Sequence, residues 1–199
     1  MTNWALVIEL SRAIAEKAHF TQLDKTGQPY IGHPARVAAN ARNYIEHFHI
    51  EEQVTLGAVE SAAWLHDVIE DSGDYGDQIT EDDLRQAGIP DIVVDAVLLL
   101  TDDQRVPDTL SGLEHRAKKV QMKLDYYSRI NANEVARIVK LADLADNNNA
   151  ARTAAMRAAG GAVDPAKYPL ALAALALSEA EWAWFSSLVS ATDPLNVRS

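Results

Sequence analysis

Apolar residues return at three- and four-residue steps along nearly the whole chain, and that single period excludes most folds. Leu6, Leu10, Ala13, Ile14 and Ala18 make one stripe, so a first amphipathic helix is expected there. A second should start at His33-Pro34, because proline is tolerated in a first turn, and run towards Tyr44. Val54, Leu56, Ala58, Val59, Ala62, Ala63, Trp64 and Leu65 leave a third helix apolar on most sides, which places it in the middle of a bundle. Thr80 to Asp83 read as a capping box before a short helix. Pro90 opens another, with Ile92, Val93, Ala96, Val97 and Leu100 inward; its β-branched run also fits a strand, but the four-residue spacing favours a helix. Thr109 to about Ile130, Asn133 to about Ala159 and Ala166 to Val189 complete the pattern, with Gly160-Gly161 as a stop. Asp24 to Pro29 is a turn, and Ser72 to Gln78 an acidic, glycine-containing loop. Repeats, parallel-sheet alternation and Pro/Ser linkers are absent from the sequence. The expectation is an all-α, single-domain helical bundle over residues 1–190, with a frayed tail at 191–199.

At 199 residues the chain suits one domain. Cysteine is absent, which excludes a disulfide scaffold, thiolate metal sites and a cysteine nucleophile, and fits a reducing compartment. The opening Met1-Thr2-Asn3-Trp4 lacks the basic stretch of a secretory signal, and no apolar run approaches the roughly 20 residues that span a bilayer. A soluble, cytoplasmic protein with no membrane partner is expected. The formal charge of −11 repels a polyanionic duplex, so no nucleic-acid partner is expected either. A small anionic substrate would need a local positive focus, which a bound divalent metal supplies.

Three segments hold polar residues that a helical core does not need: Tyr30 to Pro34, His66 to Asp71, and Lys140 to Asn147. The second is embedded in the most apolar helix. Ionised carboxylates buried without a partner are costly enough to shift their pKa or find a cation. His66 and Glu70 lie one turn apart, as do Asp67 and Asp71. Adjacent His-Asp can give one nitrogen and one oxygen ligand, leaving the later carboxylates to handle a proton. The alternative reading ends the helix near Ile69 and leaves Glu70 and Asp71 in solvent. His33 alone reads more readily as a capping or loop residue. Asp143, also in an apolar helix, can equally be a buried acid paired with Lys140 or Arg137, with Asn147 one turn beyond. Together, His33, His66-Asp67 and Asp143 would offer two nitrogens and two oxygens, a set that suits Mn²⁺, Fe²⁺ or Zn²⁺ better than Ca²⁺.

The order His33…His66-Asp67…Asp143 resembles the HD superfamily of metal-dependent phosphohydrolases. The longer match, Gln22…Lys25…Gly27 to Pro34, then Ala63 to Asp71, then Val139 to Asp143, resembles the hydrolase domain of RelA/SpoT proteins, in the form of the small alarmone hydrolases. It covers roughly residues 5 to 150. The resemblance implies a helical HD domain with catalytic motifs within 19–150, binding one Mn²⁺ through His33, His66, Asp67 and Asp143. It implies that Glu70 and Asp71 orient or deprotonate the attacking water, and that Lys25 and Asn147 contact a small-molecule nucleotide. The implied reaction removes the 3′-pyrophosphate of guanosine tetra- or pentaphosphate, releasing pyrophosphate and GDP or GTP.

The departures fall on recognition. Asp24-Lys25 stands where the family usually has Arg-Lys, Asn147 to Ala150 where it often has Asn-x-Arg-Thr, and Asp102 where it has Lys. Asp24 can accept from base amino groups, which points to an adenosine analogue as an alternative, and Asn149 and Lys140 join the candidate substrate contacts. His19 either contacts substrate or packs. His47 and His49 read as a surface turn, and His115 as a solvated face. Lys118, Lys119 and Lys123 make a basic stretch that is either a solvated face or a border of the pocket. Trp182, Trp184 and Phe185 read as core or as an oligomer interface, so a homo-oligomer stands among the expected partners. Two other functions remain open: an HD phosphohydrolase for another nucleotide phosphate ester, and a nucleotide-binding sensor without turnover.

Overall fold

The computed structural model describes residues 2–50, 53–102, 111–160 and 167–190. In chain order the helices are α1 (Trp4–Ala18), α2 (Gly32–His47), α3 (Gln53–Leu65), α4 (Val68–Tyr75), α5 (Glu81–Gln86), α6 (Asp91–Leu100), α7 (Gly112–Asn131), α8 (Glu134–Asn148), α9 (Ala150–Ala158), α10 (Lys167–Leu175) and α11 (Glu179–Val189). Among the described residues there is no strand, only an isolated antiparallel bridge between Leu23 and Pro29, so the fold is the all-α one the period implied. No helix among them is long and apolar enough to cross a membrane.

Two helices form the centre. Ala58, Val59, Ala62, Ala63 and Leu65 of α3 are fully buried, and α8 is buried on nearly every side from Val135 to Asp146. α3 packs against α1, α2, α6 and α8, while α8 also meets α7, α9 and α11. Close approach of α1 depends on Gly57, where a Cβ would stand 2.4 Å from the Trp4 ring.

The helix ends differ from the expectations in ways the packing explains. The α1 stripe is rotated: Val7, Ser11, Ala15 and Ala18 are buried, whereas Leu6 is 64% exposed. Ile92 of α6, expected inward, is 41% exposed, while Val93, Ala96, Val97 and Leu100 are buried as expected. The helix carrying His66 to Asp71 is not continuous. It stops at Leu65, and α4 begins at Val68 with Asp67 as an N-cap whose side chain makes no capping bond. α4 then runs through Tyr75, taking half of the expected loop, because the buried Ser72 hydroxyl accepts from Ile79 N at 2.8 Å and holds the following turn. The capping box of Thr80 and Asp83 is present.

The long helix expected to Ala159 breaks at Asn149, which caps α9 through Arg152 N at 3.1 Å and ties to α11 by donating to Leu188 O, also 3.1 Å. The last expected helix also divides. Ala176 adopts a positive φ, and Ser178 with Glu181 forms a capping box that starts α11. Trp184 and Phe185 belong to the core, where Trp184 Nε1 donates to Asn43 Oδ1, but Trp182 is 43% exposed. The expected tail 191–199 lies outside the described residues, as do 109–110, 161 and 166 at the edges of the expected helices.

Candidate metal centre and cleft

Three helices deliver the central side chains. The first turn of α2 carries His33, the C-terminal end of α3 presents His66, and the middle of α8 carries Asp143; all three are buried. One donor atom from each lies within 4.8 Å of the others. His33 Nε2 stands 3.3 Å from His66 Nε2 and 3.3 Å from an Asp143 oxygen. Asp67 joins them, 3.0 Å from His66 Nε2 and 3.6 Å from His33 Nε2. The break between α3 and α4 makes this approach available, since a continuous helix would carry residues 66 and 67 in divergent directions.

The far side of each donor is held. His66 Nδ1 faces Ala63 O at 2.8 Å, and a carbonyl only accepts, so Nδ1 carries the hydrogen. His33 Nδ1 likewise faces an Asp146 oxygen at 2.7 Å. Tyr30 donates its hydroxyl to Asp67 at 2.5 Å, and Lys140 and Asn147 both donate to Asp143. Two imidazole Nε2 atoms and two carboxylates therefore face one point, with Lys140 paired to Asp143. That donor set fits a divalent cation, and its mix of nitrogen and oxygen suits a transition ion.

The electrostatics agree. Burial alone would lower the His33 pKa, but Asp143 and Asp146 outweigh it and push it up to about 9. His66 is raised against burial by Asp67. Asp143 is held well below the usual carboxylate range despite burial, by Lys140 and the two histidines. Glu70 and Asp71 go the other way: burial raises both, and neighbouring carboxylates add to it.

The cluster opens into a cleft of about 380 Å³. Glu70 and Asp71 line it beside Asp67, Glu70 accepting from Asp102 N at 3.1 Å and Asp71 from Gln22 Nε2 at 2.9 Å. Lys25, Lys123, Lys140 and Arg152 bring positive charge to the wall of an acidic protein. Lys123, from the basic stretch of α7, thus borders the pocket, pairs with Asp102 and lies over the Tyr126 ring.

Among the sequence-predicted substrate contacts, Lys25, Asp24, Lys140 and Asn147 line the cleft. Asp24 builds its own turn, its Oδ1 accepting from Thr26 N, Thr26 Oγ1 and Gln28 N, so that oxygen is committed to the loop. Asn149 is corrected outright: it is buried, caps α9 and does not line the cleft. His19 packs rather than lines it, its ring tilted against that of Tyr30 with burial lowering its pKa, and its Nδ1 meets Gln22 Oε1 at 2.6 Å. Sequence reasoning missed Asp146, Arg36 and Arg152. Asp146 lies in the same apolar stretch as Asp143, so the argument from buried acids applied to it as well.

A comparison with protein families matches the HD domain over residues 30–148, more than half of the chain. The chain belongs to the HD domain family. That family is one of metal-dependent phosphohydrolases, and in this HD domain His33, His66 and Asp143 are placed to hold a metal ion. A search of curated proteins finds no match. The matched span contains the buried cluster and Glu70 and Asp71, whereas Gln22, Asp24, Lys25 and Arg152 of the cleft lie outside it.

Proposed function

We propose that this HD domain is a Mn²⁺-dependent hydrolase that removes the 3′-pyrophosphate from a guanosine tetra- or pentaphosphate type of nucleotide. The products would be pyrophosphate and GDP or GTP. One observation carries the reading: a cluster of buried His33, His66 and Asp143 with part-buried Asp67 opens directly onto a cleft that holds both an acidic pair and four cationic side chains. His33, His66, Asp67 and Asp143 would hold the ion. When bound there, it supplies charge for phosphoryl oxygens and a water that ionises near neutral pH.

The remaining roles belong to the chain. Tyr30 and Lys140 keep the Asp67 and Asp143 carboxylates turned inward. Glu70 and Asp71, raised by burial, are suited to take a proton from the attacking water and pass one on. Their partners, Asp102 N and Gln22, fix the carboxylates without neutralising them. Lys25, Lys123 and Arg152 offset the charge of a polyphosphate that the net field of the protein repels.

The engagement of Asp24 in its turn supports a second reading, another phosphorylated nucleotide in the same cleft, because the position then offers no stacking partner to guanine. A Mn²⁺-supplemented assay against guanosine and adenosine compounds with 3′-pyrophosphate, and against 3′- and 5′-monophosphates, decides among these. Pyrophosphate release supports the proposal, inorganic phosphate from monoesters the second reading, and binding without product a sensor.

A further inference from the structure

Asp146 is the most heavily engaged carboxylate near the centre, and it is 2% exposed. Its Oδ2 lies 2.7 Å from His33 Nδ1. From α2, Arg36 Nε reaches Oδ1 at 2.6 Å and Nη2 reaches Oδ2 at 3.3 Å. From α9, Arg152 Nη1 stands 2.9 Å from Oδ2, and the same nitrogen donates to Asn147 Oδ1 at 2.6 Å. A buried carboxylate persists as an ion only when its oxygens are satisfied by charged or strong donors. Two guanidinium groups meet that condition.

We propose that Asp146 is a positioning residue for His33: clamped by Arg36 and Arg152, it holds the imidazole by Nδ1–H so that Nε2 faces His66, Asp67 and Asp143. An ionised carboxylate has no hydrogen to give, so the hydrogen of the shared contact belongs to His33 Nδ1. Rotation of the ring would break a buried charge-assisted bond, which fixes its orientation before any ion arrives. His66 receives the same service from a backbone carbonyl. Asp146 therefore makes the His33 side of the centre the one that a side-chain change can loosen. The break at Asn149 is part of the device, because it starts the helix that returns Arg152 to the carboxylate.

The inference rests on His33 being a metal donor, and two readouts separate it from that reading. In wild-type protein, His33 should show an exchange-protected, downfield Nδ1–H proton by NMR, both metal-free and loaded with diamagnetic Zn²⁺. Asp146→Asn should move it upfield, and Asp146→Ala should abolish it. By calorimetric titration, Mn²⁺ should bind Asp146→Asn about 10- to 100-fold more weakly than wild type, and Asp146→Glu should recover part of the loss. Glu181→Gln, which breaks a comparable ion pair elsewhere, should leave Mn²⁺ affinity unchanged. Should Asp146→Ala fail to fold, Asp146→Asn carries the decision. Wild-type affinity in a folded Asp146→Asn protein, or a His33 ring without Nδ1–H, overturns the proposal. A wild type that binds no Mn²⁺ overturns the metal reading, while the proton signal still judges the orientation claim.

Discussion

At the residue scale, burial divides the acids of the centre into two kinds. Asp67 and Asp143 sit against histidines and a lysine that hold them ionised, while Glu70 and Asp71 form no ion pair with a lysine or arginine among the described residues and are raised by burial. The first pair is suited to hold charge and the second to move protons. Glu70→Gln should accordingly keep Mn²⁺ binding and lower kcat by about 10²- to 10⁴-fold, the usual contribution of a positioned base. Calorimetry and steady-state kinetics on one preparation check it; unchanged kcat removes Glu70 from the mechanism. The same burial argument made His66, Asp67 and Asp143 legible in the sequence, because ionisable groups in apolar helices need a reason. It did not reach the partners. Arg36 meets Asp146 across 110 residues of chain, and Arg152, only six residues on, reaches it because the helix breaks at Asn149; nothing in the sequence marks either meeting. Asp24 lines the cleft, and its side chain also satisfies the turn that its own neighbours create, which the sequence pattern of the turn alone did not show.

At the element scale, the periods were readable and the interruptions were not. The breaks after Leu65, at Asn149 and at Ala176 replace three expected continuous helices, and each is paid for by contacts outside the helix itself. Only the last carried a local signal, since Ser178-Glu179-Ala180-Glu181 reads as a capping box. Glu181 closes that box and also accepts from Arg137 and Tyr44, so burial, which would raise its pKa, is overcome and the value falls to about 2 from an ordinary 4.5. A depressed carboxylate stabilises the fold above its unfolded pKa and stops doing so as pH falls through its folded value. The melting temperature of wild type should therefore exceed that of Glu181→Gln at pH 6, and the gap should narrow steadily from about pH 5 towards pH 2. A gap that does not change with pH would deny Glu181 this role. The contact of α1 with α3 supplies the other test. Gly57→Ala removes a helix-weakening glycine, yet its methyl would overlap the Trp4 ring. Overpacking of this kind costs about 1–3 kcal/mol, so melting should drop despite the better helix propensity, and Trp4→Ala in the same chain should reverse the sign of the Gly57→Ala effect.

At the scale of the whole molecule, the candidate centre and the core are one object. His33, His66 and Asp143 come from α2, α3 and α8, and these three helices pack on one another at the heart of the bundle. Their convergence gathers negative charge and lone pairs where the fold is most tightly packed, so the protein without a cation carries an unfavourable assembly at its centre. An ion that binds only the folded state adds RT ln(1 + [L]/Kd), about 2.7 kcal/mol at one hundred times Kd. For a chain of this length, each kcal/mol moves the melting temperature by about 2–4 °C. Saturating Mn²⁺ should thus raise melting by about 5–10 °C, and a chelator should reverse the rise. Removing one donor by His66→Ala should abolish the response. The same addition should leave the metal-independent contacts of α11 with α2 and α8 unaffected, so the Glu181→Gln protein should show the full Mn²⁺ shift from its lower baseline. A wild-type melting curve indifferent to Mn²⁺ would mean that the three side chains meet for packing alone, and the hydrolase reading would lose its physical basis.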